Sequence, residues 1–140
     1  MHAMLAILML CFASVAVAKD PPVTLMIAPR SIHLSASGKM VFDLYWHNWT
    51  DKPAAIPALD TYSVFCWAII PGRDGGEGRS TGSMVDHPAP DRAIAPHTVI
   101  HETITADIEL KPKEIGKVSL TVSGEHRKDF KSNEVVFIRR

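Results

Sequence analysis

The chain has 140 residues, a length that suits one domain of ordinary size. Its 15 lysine and arginine residues balance its 15 aspartate and glutamate residues, so the formal net charge is zero. This balance leaves no electrostatic basis for binding nucleic acid or an anionic membrane.

The N-terminus has the composition of a secretory signal peptide. An apolar run over residues 3–13 is followed by small residues that end in Ala16 and Ala18, the A-x-A pattern that signal peptidase cleaves. The sequence therefore predicts a signal peptide over residues 1–18, cleaved after Ala18, and a secreted or periplasmic protein. An uncleaved membrane anchor is the alternative, but the apolar run is shorter than the roughly 20 residues that span a bilayer. We expect no membrane span in the mature chain.

Residues 19–140 are then expected to form a single domain. Cys11 leaves with the signal peptide, so Cys66 has no partner for an intramolecular disulfide. Cys66 lies in the apolar run Tyr62–Ile70, which predicts a buried and unreactive thiol.

Apolar runs, most of which alternate with polar residues, predict about seven short β-strands in this domain. The first segment is 23–27, which a short piece over 31–34 continues after Pro29, and the others are 39–48, 54–56, 62–70, 99–110, 117–123 and 134–138. Such a series of strands, separated by turn residues and without a helical period, indicates an all-β antiparallel fold.

Three of these segments carry specific predictions. In Lys39–Asn48, one face holds Met40, Phe42, Leu44 and Trp46, which predicts that these four side chains enter the core. The run Tyr62–Ile70 is apolar on both faces, as in a central strand that is covered on each side or packed deep in a sandwich, and predicts Trp67 in the core. Glu102 interrupts the apolar face of Val99–Leu110, which indicates that this strand either begins outside the core or carries a bulge.

The segment Pro71–Thr98 holds five glycines and four prolines, and this predicts a long mobile loop with a short edge strand near Ser83–Asp86. Trp49 lies in a turn, where it either plugs one end of the domain or contacts a partner; its neighbours Asn48 and Thr50 complete a glycosylation sequon. The predicted contact surface consists of Trp49, Arg73, Asp74, Glu77 and Arg79.

Two partial matches to catalytic motifs do not predict an enzyme. Gly78–Gly82 reads G-x-S-x-G, but the nucleophile elbow requires a following helix and a large α/β sheet. His101 and Glu102 begin H-E-x-x-H, yet Thr105 stands where the second histidine must be. We therefore predict no catalytic residues and no cofactor.

The histidines leave a metal-binding alternative open. His97 and His101 are four residues apart, which on a strand separates them by about 13 Å, too far to share one metal. A site would need another histidine, from the set His33, His47 and His87. We predict no metal ligands, with a periplasmic histidine-based metal-binding domain as the second hypothesis.

Three segments carry a resemblance to a known class of domain. Met40–Pro53 (MVFDLYWHNWTDKP), the turn Ile94–His97 and the hairpin Gly116–Ile138 resemble the corresponding parts of immunoglobulin-like domains of bacterial exported proteins. His97 replaces the usual glycine of that turn, and Val118 replaces the usual aromatic residue of the hairpin. The resemblance implies an immunoglobulin-like β-sandwich, a fold that mostly serves binding or spacing.

The sequence thus predicts a non-catalytic binding or structural module. Its expected partner is a protein or another component of the cell envelope, recognised through loops carried on a rigid framework. A protease inhibitor that inserts loops into an enzyme cleft is a third hypothesis, beside the binding module and the metal-binding domain.

Overall fold

A computed structural model of the chain describes residues 22–31, 34, 36–124 and 129–139. The predicted signal peptide lies outside these residues. Ten strands and no helix occur in the described ranges, so none of them contains a helix able to cross a membrane. The strands are β1 (Val23–Pro29), β2 (Lys39–Asn48), β3 (Ala54–Ile56), β4 (Tyr62–Ile69), β5 (Gly76–Ser83), β6 (Arg92–Ile94), β7 (Val99–Asp107), β8 (Ile115–Ser123), β9 (Asp129–Lys131) and β10 (Val135–Ile138).

All strand pairs are antiparallel, and they form two larger sheets and one small one. The three-stranded sheet has the order β1-β2-β7, and the five-stranded sheet has the order β10-β8-β4-β5 with β9 also paired to β8. Strands β3 and β6 form a separate pair. The prediction of an all-β fold is confirmed, although ten strands replace the expected seven or so.

The inner faces of the two larger sheets meet in one hydrophobic core. The predicted inward face of β2 is confirmed, because Met40, Phe42, Leu44 and Trp46 are all buried. The Trp46 ring meets Phe130 of β9 edge-on, with ring centroids 5.4 Å apart. Alternation along β2 thus places large side chains between the sheets, where their burial is the main stabilising contribution.

The prediction that β4 is a central strand is confirmed, since it lies between β8 and β5, but the strand is not covered on both faces. Its inner face is buried, but the Phe65 and Trp67 side chains on the outer face remain 43% and 40% exposed, so Trp67 does not enter the core. The two rings lie over glycines of β5, where a Cβ atom at Gly76 would come within 2.5 Å of Trp67 Nε1. The aromatic residues therefore cover a neighbouring strand instead of being covered by another layer.

The prediction of a mobile loop over Pro71–Thr98 is also wrong in its central part. Strand β5 pairs with β4 along eight residues, from Gly76 to Ser83, and β6 pairs with β3. The expected edge strand at Ser83–Asp86 is not found, because β5 ends at Ser83. A strand forms without apolar residues here because its backbone hydrogen bonds to β4 are independent of side-chain chemistry.

Two smaller expectations have different outcomes. Of the two alternatives for Glu102, the bulge is wrong, since the pairing of β2 with β7 is continuous from Lys39 to His47, while the start outside the core is confirmed, since no residue of β7 before Ile104 is buried. The Glu102 carboxylate accepts hydrogen bonds from Trp46 Nε1 at 2.9 Å and from Arg92 Nη1 at 2.6 Å. The expected strand over residues 31–34 is not found at Ser31 or Leu34.

Candidate functional site

The outer face of the three-stranded sheet carries a cluster of exposed aromatic, apolar and imidazole side chains. The pairing register places Met26, Tyr45 and His101 in one row across the sheet, and Thr24, His47 and Val99 in the next. Met26, Trp49 and Val99 are each 54% exposed, and Tyr45 is 39% exposed. We call this surface the aromatic face; it consists of Met26, Tyr45, His47, Trp49, Val99 and His101.

Trp49 lies at the border of the aromatic face, in the turn that follows β2. Its indole Nε1 donates a hydrogen bond to Thr24 Oγ1 at 2.9 Å, and its ring lies against His47 with centroids 3.4 Å apart. Its backbone N–H bonds to Pro22 O at 3.0 Å. These contacts hold a large and half-exposed ring in one position, which lowers the entropy that binding would cost.

A charged cluster fixes the other end of the face. The Tyr45 and His101 rings stack with centroids 5.0 Å apart, and His101 Nε2 lies 2.8 Å from Asp43 Oδ1. Arg30 donates to the same carboxylate through Nη2 at 2.9 Å. A hydrogen bond from Arg30, and to a smaller extent one from His101, holds the pKa of Asp43 below its usual value, so the carboxylate stays ionised.

Buried Asn48 organises the turn that presents Trp49. Its amide nitrogen donates to Lys52 O at 2.8 Å and to Ile94 O at 3.1 Å, and its carbonyl oxygen accepts from the Thr50 backbone. The side chain is fully buried. A glycan would be attached to that same nitrogen, so the structure offers no room for one at the sequon.

The other residues of the predicted contact surface lie on the opposite sheet. Arg73, Asp74 and Glu77 are exposed around the start of β5 and line a hollow of about 210 Å³. Arg79 is not available for contact, because its side chain is only 10% exposed and pairs with Glu114 at 2.6 Å. Trp49 follows β2 of the three-stranded sheet, so the structure does not gather the five predicted residues into one surface.

The histidines of the metal-binding hypothesis pair with separate carboxylates. His97 Nε2 lies 2.6 Å from Asp51 Oδ1, while His101 contacts Asp43. His33 lies outside the described residues. Within the described ranges, no three histidine, cysteine, aspartate or glutamate side chains are grouped as a metal site requires.

Ser80 and Cys66, the two residues of the five-stranded sheet with nucleophilic side chains considered above, are part of the structure of that sheet. Ser80, the serine of the G-x-S-x-G match, lies on β5, and its hydroxyl is 2.9 Å from that of Ser63 on β4. Cys66 is buried as predicted, and burial raises its pKa to about 11. A thiol with this pKa is protonated at neutral pH and is a poor nucleophile.

A hollow of about 560 Å³ opens beneath Trp49, between β1 and β9. It is lined by residues 22–26 and 129–133 together with Trp49. Most of the lining is apolar, so the hollow and the aromatic face meet at the Trp49 ring. The sequence alone does not predict this arrangement because it depends on which strands lie side by side, although alternation along β2 puts Tyr45 and His47 opposite the predicted inward face.

The described residues define the class of this protein as all-β, built from antiparallel sheets around one core. No protein-family model and no curated protein matches the chain. It is similar in fold to the crystal structure of Spo0M, a sporulation control protein from Bacillus subtilis, with a TM-score of 0.54 and 8% sequence identity. That match covers 86% of this chain and 50% of Spo0M, so the chain spans half the length of its structural neighbour. The X-ray structure of the Northeast Structural Genomics Consortium target SoR45 aligns with a TM-score of 0.43 and 13% identity, over 87% of this chain and 90% of the other.

Proposed function

We propose that this chain is an exported, non-catalytic binding module of the immunoglobulin-like sandwich type, and that a partner protein of the cell envelope docks on the aromatic face. The observation that carries the proposal is the cluster of exposed side chains around Tyr45 and Trp49 on the outer face of the three-stranded sheet. Aromatic residues and methionine are enriched in protein interfaces, where a few of them supply most of the binding energy.

The rigidity of this surface favours recognition over a solvent-facing role. Trp49 is tied to Thr24, and His101 is tied to Asp43, so the rings are ordered before any partner arrives. Preordered aromatic side chains gain contact area at little cost in conformational entropy. Export is supported by the signal-peptide pattern of residues 1–18.

The test compares two double variants with closely matched exposure on opposite sheets. Met26→Ser with Val99→Ser removes apolar area from the aromatic face, where both residues are 54% exposed. Val136→Ser with Ile138→Ser removes area from the outer face of β10, where the residues are 62% and 54% exposed. Each variant is used to capture proteins from the exported fraction of the native host, with quantitative mass spectrometry.

We expect the first double variant to retain a given partner about tenfold less than wild type, and the second to retain it fully, because binding energy is concentrated in a few apolar contacts. Thermal unfolding checks that both variants fold. Equal retention by both variants, or a loss confined to the β10 variant, would overturn the assignment of the aromatic face.

A further inference from the structure

Hydrogen bonds at the two ends of β1 show which of its backbone groups point toward β2 and which point toward its outer edge. Trp49 N donates to Pro22 O at 3.0 Å, and Arg30 N donates to Val41 O at 3.0 Å. Both bonds lie on the β2 side, so even-numbered residues of β1 direct their backbone groups toward β2. In an antiparallel pair successive residues point in opposite directions, so the N–H and C=O groups of Val23 and Leu25 point away from β2.

This edge is closed at one end and open at the other. At Ile27 the side-chain amide of Asn133 takes the place of a neighbouring strand, accepting from Ile27 N at 2.7 Å and donating to Ile27 O at 3.2 Å. At Val23 and Leu25 the outward backbone groups have no hydrogen-bond partner within the described part of the chain. An open edge of this kind is a template for another strand.

The strand across the hollow, β9, also has backbone groups that point away from its neighbour. Ser132 N donates to Leu120 O at 2.8 Å, which directs Ser132, and by alternation Phe130, toward β8. The backbone groups of Asp129 and Lys131 therefore point away from β8, along the other wall of the hollow. Two strands with outward backbone groups thus flank one largely apolar space.

We infer that an extended polypeptide segment of the partner protein adds as a strand along β1 at Val23–Leu25, an inference that rests on the proposed function. Main-chain hydrogen bonds to Val23 and Leu25 would hold the segment, and alternate apolar side chains would enter the hollow of about 560 Å³ beneath Trp49. The side chains between them would point outward, beside Met26 of the aromatic face.

The charges at the rim favour a polypeptide over a uniformly charged polymer. Asp129 and Lys131 are both exposed, carry opposite charges, and take part in none of the ion pairs found among the described residues. A polyanion such as nucleic acid would be repelled at Asp129. A peptide carries charges of both signs and so complements both positions.

The experiment uses Val23→Pro and its matched control Val23→Ala, in the protein as its host exports it. Proline removes the outward N–H and blocks strand addition, and it is tolerated at the first residue of a strand. Alanine removes similar packing but keeps the N–H. Peptides of about ten residues, the length of an added strand, are selected on wild type from a random displayed library. We expect the selected peptides to bind Val23→Pro about tenfold or more weakly than Val23→Ala.

A second measurement on wild type does not depend on how the proline variant folds. Amide exchange of Val23 and Leu25 is expected to be fast in the free protein and slow with a selected peptide bound. Thr24 and Met26, whose amides face β2, are expected to exchange slowly in both states.

Three results would overturn the inference: no peptide is enriched, selected peptides bind both Val23 variants equally, or they leave Val23 and Leu25 unprotected. If the partner is still lost with Met26→Ser and Val99→Ser in any of these cases, the binding module stands and strand addition alone is wrong. If the double variant Met26→Ser with Val99→Ser also captures the partner as well as wild type does, the proposed function is wrong too.

Discussion

His97 has a backbone φ of 51°, in the left-handed region where residues with a Cβ atom are strained. It occupies the turn position at which the resemblance to immunoglobulin-like domains implies glycine. The strain is accompanied by a contact between His97 Nε2 and Asp51 Oδ1, at 2.6 Å on the surface. The left-handed conformation is thus set by the turn, whichever residue stands there.

We expect His97→Gly to unfold with a free energy within about 1 kcal/mol of wild type, since relief of strain offsets the lost surface contact and the added flexibility of the unfolded chain. His97→Val should lose about 1–2 kcal/mol, because a β-branched side chain tolerates this conformation poorly. Urea unfolding of the two variants measures the difference. Equal stability of the glycine and valine variants would contradict this account of the turn.

The buried thiol of Cys66 provides a second test at a single residue. Burial raises its pKa to about 11 from an ordinary value of 9.0. At pH 8 the thiolate is therefore scarce, and we expect native Cys66 to react with a thiol reagent at least a hundredfold more slowly, in order of magnitude, than in urea. Because the unfolded chain ionises first, stability should also fall as the pH rises from about 9 to 11. Equal labelling rates in native and unfolded protein would contradict its burial.

At the scale of elements, an ion pair ties the edge strand β5 to the turn between β7 and β8. Arg79 of β5 donates to Glu114 Oε2 at 2.6 Å, and the two side chains are 10% and 5% exposed. Hydrogen bonding to Arg79 lowers the pKa of Glu114 to about 2 from 4.5. The pair therefore adds a side-chain link to the backbone pairing that holds this glycine-rich strand at the edge of its sheet.

We expect Glu114→Gln to lower the free energy of unfolding at pH 7 by about 3 kcal/mol, because it leaves a nearly buried guanidinium with only the exposed Glu77 carboxylate as a charge partner. Glu77→Gln is the control: Glu77 lies 3.2 Å from the same guanidinium but is 56% exposed, so its loss should cost less than about 1 kcal/mol. The contribution of Glu114 is present above about pH 4.5 and is lost as the pH falls toward 2, a dependence absent from the glutamine variant. Equal losses in the two variants would contradict the role assigned to burial.

An element could be predicted from the sequence when the interactions that stabilise it lie within that element, and could not be predicted when they come from other elements. In β2 the core-forming side chains alternate within the strand, so its inward face was predicted correctly. In β5 the stabilising groups belong to other elements: the rings of β4 cover Gly76 and Gly78, and Glu114 holds Arg79. The aromatic face was only partly predictable for the same reason, because it combines β1, β2 and β7 through a register that no single strand encodes.

At the scale of the whole molecule, the two larger sheets are in contact on two sides, beside β5 and beside β1, and the contacts on these two sides differ. Beside β5, Thr81 Oγ1 donates to Asp107 O at 2.8 Å and Arg79 donates to Glu109 O at 2.6 Å, so side chains bridge the two sheets. Beside β1, Asn133 bridges the sheets only at Ile27, and the hollow opens beyond it. The proposed binding edge at Val23 and Leu25 lies on the side with the hollow.

Cleavage after Ala18 would leave only the four residues Lys19–Pro22 ahead of β1. An uncleaved apolar run would instead end at Ala13, ten residues before Val23 in the sequence, and we expect it to compete with a partner for the apolar hollow. We therefore expect processing both to release the protein and to leave the proposed binding edge accessible. We expect intact-mass measurement of the exported protein to give an N-terminus at Lys19.

A variant with a large residue at the cleavage site, Ala18→Leu, should accumulate as the longer form, because signal peptidase requires a small residue there. Lys19→Gln, which alters only the residue after the site, is the control and should be processed normally. If the longer form of Ala18→Leu also binds the selected peptides less well than the processed protein, the apolar run competes for the edge as argued. An exported wild-type protein that retains residues 3–13 would contradict the signal-peptide prediction and support a membrane anchor in its place.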